Sequence, residues 1–128
     1  MVVSTRRRQL GRSVSVVGVG MSQFGAFKHK TSRDLFVEAF QDLMDTLDQG
    51  IDAEDIECGY LGNYSSDLFE GQGHTAPIIA DWMGIPPTPV TRIENACASR
   101  GSALREGIMA IASGMYDSNI DDPPEDCD

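Results

Sequence analysis

The sequence contains no run of about 18 to 20 apolar residues, the length a helix needs to cross a bilayer, so nothing in it reads as a membrane span. Basic residues are scarce. Lys and Arg number 10 against 20 Asp and Glu, leaving a formal net charge of −10. A surface of that sign repels phosphates and argues against nucleic acid as a partner. Histidine is limited to His29 and His74, and the three cysteines, Cys58, Cys97 and Cys127, are odd in number and far apart. They offer neither a zinc-ligand spacing nor a disulfide framework, so no metal is expected and a reducing, cytoplasmic compartment fits. Dinucleotide and hydrolase signatures are also missing. Gly18 and Gly20 begin a G-x-G-x-x-G pattern, but Gln23 stands at its third position, and Ser99 and Ser102 lie outside any G-x-S-x-G. Asp121, Asp122, Glu125 and Asp126 lack calcium-loop spacing, and the Asp52, Glu54, Asp55 group reads as a solvated loop.

What is present is enough chain for one domain, 128 residues with 41% hydrophobic content. Residues 1–12 form a basic lead-in. Its Arg6-Arg7-Arg8 run brings to mind a twin-arginine export signal, but the moderately apolar stretch behind it and the lack of a small-residue cleavage site favour a plain lead-in to a first strand. The acids cluster in 42–57 and 117–128, a distribution that also suits a high-salt, halophilic archaeal cytoplasm.

From Ser13 to Gly20 the valine-rich SVSVVGVG predicts a buried strand. Thr31 or Ser32 caps a helix with Asp34 in its first turn, and Leu35, Phe36, Ala39, Phe40, Leu43, Met44 and Leu47 recur at helical spacing until Gly50. Ile56–Leu61 is a second strand, and 62–73 is rich in turns. A helix runs from Gly73 or His74 to Met83, ended by Gly84 and the prolines behind it. Val90–Ile93 is a third strand, and Ala96–Ser113 the strongest helix. Strands alternating with helices predict an α/β layer with a mainly parallel sheet across 13–117. Residues 118–128, SNIDDPPEDCD, cannot form a central strand and read as an acidic, disordered tail, so the core looks unfinished.

Cys97 is the residue most suited to chemistry. It sits in ENACAS, 94–99, where a strand hands over to a helix. Unpaired amides at a helix start stabilise a thiolate and can bind a developing oxyanion. Small neighbours at Ala96, Ala98 and Ser99 leave room for a substrate. Position alone leaves the alternative open that Cys97 is a buried structural thiol.

The stretch ENACASRGSALREGIMAIASGMYD, 94–117, resembles the active-cysteine segment of the thiolases, nearest the archaeal acetyl-CoA acetyltransferases and sterol-carrier-protein-type thiolases. VSVVGVGMSQFGAF, GIDAEDIECGYLGN and FEGQGHTAPIIADWMGIP resemble earlier thiolase segments in the same order, extending the likeness over 14–117. The resemblance implies a thiolase-like fold of which this chain holds an incomplete N-terminal half. It implies Cys97 as the acyl-thioester nucleophile, its backbone N–H as an oxyanion donor, acyl-CoA thioesters as substrates and no bound cofactor. It also implies a homo-oligomer, with hydroxymethylglutaryl-CoA synthase as a possible user of the product. The family's activating histidine and second acid/base lie in its C-terminal half, in G-H-P and C-x-G motifs that do not occur here. A truncated chain, inactive alone, is the expectation, and the alternative is a non-catalytic subunit or half-chain paired with a separate thiolase chain. The coenzyme A-binding residues are left unassigned, and His74 is read as structural. Arg100 stands where the family has glycine. It can crowd the acyl pocket or deepen thiolate stabilisation, and the sequence does not choose between the two.

Overall fold

The computed structural model describes residues 10–47, 50–85 and 87–121. Most of the basic lead-in, the acidic residues 122–128 and Cys127 lie outside the described residues.

Helix α1, Ser32–Thr46, starts where the capping pattern predicts. The Thr31 backbone N–H donates to Asp34 Oδ2 at 2.8 Å, and the Asp34 N–H returns to the Thr31 side of the turn. The Thr31 N–H foremost, and then the Thr31 hydroxyl at 2.9 Å, hold the Asp34 carboxyl below its usual pKa. Phe36, Ala39 and Phe40 form the buried stripe of α1. A single turn, Ala53–Asp55, leads into strand β1, Cys58–Gly62. The turn-rich stretch that follows contains a short helix α2, Ser66–Glu70, and then helix α3, Thr75–Met83, closed by Gly84 in a left-handed conformation at φ 71°. Strand β2, Val90–Ile93, helix α4, Ser99–Ala112, and strand β3, Asn119–Asp121, complete the order. None of these helices is long and apolar enough to cross a membrane.

The three strands form one parallel sheet in the order β2-β1-β3. Gly59 to Gly62 pair in register with Val90 to Ile93, and Cys58 to Tyr60 with Asn119 to Asp121. One core group joins Phe40, Ile56, Ala80, Ile85 and Ile120, and another joins Phe36, Leu61, Ala76 and Ile79. Helices α1 and α3 thus pack together on the sheet, while α4 lies against all three strands. This is the α/β arrangement anticipated from the alternating pattern.

Three local expectations change. Residues 13–20 belong to no strand, and Val16, Val17 and Val19 are exposed. The segment meets α1 through its glycines instead. Gly18 lies against the Leu43 and Leu47 side chains and Gly20 against the backbone of Ala39 and Leu43. A Cβ on Gly20 would stand 2.2 Å from the Ala39 carbonyl oxygen, an approach no other residue permits. Thr46 Oγ1 donating to the Val19 carbonyl, and Asp42 Oδ2 accepting from the Met21 N–H at 2.9 Å, hold the segment there. The helix expected from Ala96 begins three residues later, because Ala96 has φ 46°. Finally, Asn119–Asp121, assigned to the tail from sequence, add an edge strand beside β1.

Candidate active site

Strands β1 and β2 run parallel, so their carboxyl ends, Gly62 and Ile93, lie side by side. Ligands of open α/β sheets bind outside such ends. The chain leaves β2 there, passes through Glu94, Asn95, Ala96, Cys97 and Ala98, and enters α4 at Ser99. Cys97 therefore stands on the turn between strand and helix, one residue before the helix cap, and it is exposed.

A set of short hydrogen bonds shapes this turn. Ser99 Oγ accepts from the Asn95 N–H at 2.7 Å and donates to the Ala96 carbonyl at 2.7 Å. The Ser99 N–H reaches the same carbonyl at 3.1 Å, and the Ala98 N–H donates to the Asn95 carbonyl at 2.9 Å. Glu94 Oε1 accepts from the Ala96 N–H at 3.0 Å, and Asn95 Nδ2 donates to Ser102 Oγ at 3.0 Å. The bonds from Ser99 and Glu94 to Ala96 itself hold that residue in the left-handed region, which costs an ordinary L-residue about 1 to 2 kcal/mol. Ser99 is 4% exposed, so its hydroxyl works in a setting where water does not compete.

The turn is carried on a rigid base. Arg92 of β2 donates to the Asn63 carbonyl at 3.0 Å, the Tyr64 carbonyl at 2.7 Å and Asp67 at 3.1 Å. The hydrogen bond from Arg92 lowers the Asp67 pKa. Asn63, fully buried, accepts from Ser66 Oγ at 2.8 Å. Neither Arg92 nor Asn63 falls in a spacing that announces a role, and Ser99, legible in the sequence only as a small neighbour of Cys97, proves to be the residue that ties the turn together.

Arg100 is exposed in the first turn of α4, its backbone against Gly62. His74 is exposed at the cap of α3 with φ 56°. An apolar crevice lined by Phe36, Gly59, Leu61, Ile79 and Val90, among others, reaches Asp121 and does not include Cys97.

Cys58 provides an internal contrast. It is 3% exposed, and burial, then the charges of Asp121 and Glu57, push its thiol up to about 11. Iodoacetamide needs both access and thiolate, so at pH 8 Cys97 should be alkylated more than about tenfold faster than Cys58 in the folded chain. Peptide mapping after timed labelling measures this, and equal rates would contradict the burial of Cys58.

The sequence profile described as "Thiolase, N-terminal domain" matches residues 14–120. The chain is 44% identical over 106 residues to an acetyl-CoA acetyltransferase of Methanothermobacter thermautotrophicus, covering 83% of this chain and 27% of that protein. It is 42% identical over 106 residues to an acetyl-CoA acetyltransferase of Methanocaldococcus jannaschii, 83% of this chain and 26% of that one. It is 26% identical over 113 residues to the benzoylsuccinyl-CoA thiolase subunit BbsB of Thauera aromatica, 88% of this chain and 28% of that one. The chain thus spans about a quarter of the length of these relatives.

Proposed function

Because this chain belongs to the thiolase family, we propose that it supplies the acyl-accepting half of a thiolase active site, with Cys97 as the nucleophile. The observation that carries the reading is an exposed cysteine on the turn between a parallel strand and α4, inside the matched region. The sulfur, as thiolate, attacks the carbonyl carbon of an acyl-CoA, and a tetrahedral oxyanion forms beside the Cys97 N–H. When that intermediate collapses, the bond to the coenzyme A sulfur breaks, coenzyme A leaves as its thiolate, and Cys97 keeps the acyl group. A second acetyl-CoA, having lost its α-proton to a base, then attacks the acyl-enzyme and frees Cys97. Thiolysis is the reverse path. Coenzyme A thioesters are substrates here, with no resident cofactor, and subunits pair as the family resemblance implies.

The histidine and second acid/base of the family belong to the portion of the relatives beyond the matched region, so the chain alone should hold an acyl group without turning over. The test is incubation with acetyl-CoA and, separately, with acetoacetyl-CoA plus coenzyme A. Mass spectrometry should find slow acetylation at Cys97, absent in Cys97→Ala, and the thioester assay no sustained thiolysis. Acetylation spread equally over other nucleophiles would remove the reading, and turnover that survives Cys97→Ala would replace it. A second reading, a half-chain that pairs with a separate thiolase chain, is favoured by the exposed Val16, Val17, Val19 and Phe24. Restored turnover on mixing with a chain that carries the later thiolase motifs would support it.

A further inference from the structure

We propose that Ser99 is a positioning residue for acyl transfer: its hydroxyl locks the peptide plane between Ala96 and Cys97 and so aims the Cys97 N–H at the oxyanion. The inference rests on the reading of Cys97 as nucleophile and adds a residue to it. A trans peptide is planar, so its carbonyl oxygen and amide hydrogen point in opposite directions and rotate together. The oxygen of this plane belongs to Ala96 and the hydrogen to Cys97. Ser99 Oγ donates to that oxygen at 2.7 Å, and the Ser99 N–H donates to it at 3.1 Å. Two donors on one acceptor fix the plane's rotation more closely than either alone.

The plane needs such a hold. Ala96, at φ 46°, is an L-residue in a conformation that glycine adopts freely and alanine does not. Without the hydroxyl, relaxation of Ala96 toward negative φ would swing the plane and carry the Cys97 N–H away from its direction. Ser99 also accepts from the Asn95 N–H at 2.7 Å, so one buried oxygen spans both sides of the strained residue. The hydroxyl is anchored in turn, because the backbone of Ser99 and Arg100 presses on Gly62 of β1. The bond between Asn95 Nδ2 and Ser102 Oγ is different in kind: it crosses the turn without touching the Ala96–Cys97 peptide.

The consequence separates two reactions of one sulfur. Alkylation by iodoacetamide displaces iodide from carbon and develops no oxyanion, so it reads the access and ionisation of the thiol. Acetylation by S-phenyl thioacetate passes through a tetrahedral oxyanion before thiophenolate leaves, so it reads the aim of the N–H as well. Losing an oxyanion donor slows acyl transfer by about 10² to 10³, and misaiming one should slow it by at least about tenfold.

The experiment measures both rates at Cys97 by peptide mapping in the full chain, with Cys58 as a monitor of folding. Ser99→Ala should lower the ratio of acetylation to alkylation at least about tenfold, while Ser102→Ala leaves the ratio as in wild type. Ser99→Thr, which keeps the hydroxyl, should retain most of it. An unchanged ratio in Ser99→Ala with Cys58 still protected overturns the proposal. If Ser99→Ala exposes Cys58, the threonine variant decides alone: a retained ratio supports the proposal, and a lost one overturns it. If wild-type Cys97 is alkylated but never acetylated, the nucleophile reading itself fails and this inference with it.

Discussion

Gly62→Ala should destabilise the chain by about 2 to 3 kcal/mol and slow acylation of Cys97 at the same time. An added Cβ there would stand 2.6 Å from Arg100 Cα, 2.7 Å from the Arg100 nitrogen and 2.8 Å from the Ser99 carbonyl carbon. All three are backbone atoms, so no rotamer change relieves the overlap, and either β1 or the start of α4 has to move. If α4 moves, the turn that carries Cys97 moves with it, because Ser99 holds both Asn95 and Ala96. Gly101→Ala is the natural comparison. It lies in α4, one residue beyond Arg100, and an added Cβ meets nothing within 4 Å. There the helical preference of alanine should raise stability by about 0.5 to 1 kcal/mol. Urea midpoints of the two variants measure the contrast. If Gly62→Ala matched wild type in both stability and acylation, the close packing of β1 on the helix start would be wrong.

Stability should fall as pH rises from about 4 to about 6, with Asp121 responsible. Its carboxyl is pushed from 3.8 up to about 6 by burial, and its Oδ1 has no hydrogen-bond partner. The carboxylate oxygens press on Gly107, where an added Cβ would stand 2.6 and 2.8 Å from them. From β1, Cys58 and Tyr60 are close enough to feel its charge, and both thiol and phenol are pushed up, chiefly by burial. The neighbouring Asn119 is neutral and donates instead to the Gly107 carbonyl. A pKa raised in the folded state means that folding favours the protonated acid. The full stability is then present below 3.8 and is lost as pH climbs through about 6. The linkage sets a ceiling of about 3 kcal/mol, and partial exposure of the group reduces it to roughly 1 to 2 kcal/mol. Asp121→Asn should flatten the wild-type slope between pH 4 and pH 8, and Asp121→Val should be the more stable chain at pH 8. A wild-type slope that persists in Asp121→Asn would place its origin elsewhere.

Much of the α/β pattern could be read from residue order because it rests on local chemistry. Thr31 and Asp34 cap α1 through bonds three residues apart, and Phe36, Ala39 and Phe40 face inward because of helical spacing. Val90–Ile93 is a strand within the expected bounds, and Gly84 ends α3 in the left-handed conformation that its missing side chain allows. The family likeness was legible for the same reason, as consecutive segments in order, and Cys97 within it.

Other features depend on partners distant in the chain, and composition is silent about those. The valines of 13–20 suggested burial, yet α1 takes up Gly18 and Gly20 of that segment and leaves Val16, Val17 and Val19 outside. Ala96 looked like the first residue of a helix. Its conformation is set instead by Ser99 and Glu94, which bond across the turn, and by Gly62, which lies 37 positions before Ser99 and lets α4 approach β1. The acidic stretch after Asp117 looked unable to join a sheet, but β1 has an open edge that Asn119–Asp121 can pair with. Residue types and their spacing therefore specified which elements form and which sulfur is available. Contacts between β1, α4 and the turn before it decided how that sulfur is presented, since the backbone orientation at Cys97 follows from atoms that meet only once the chain has folded.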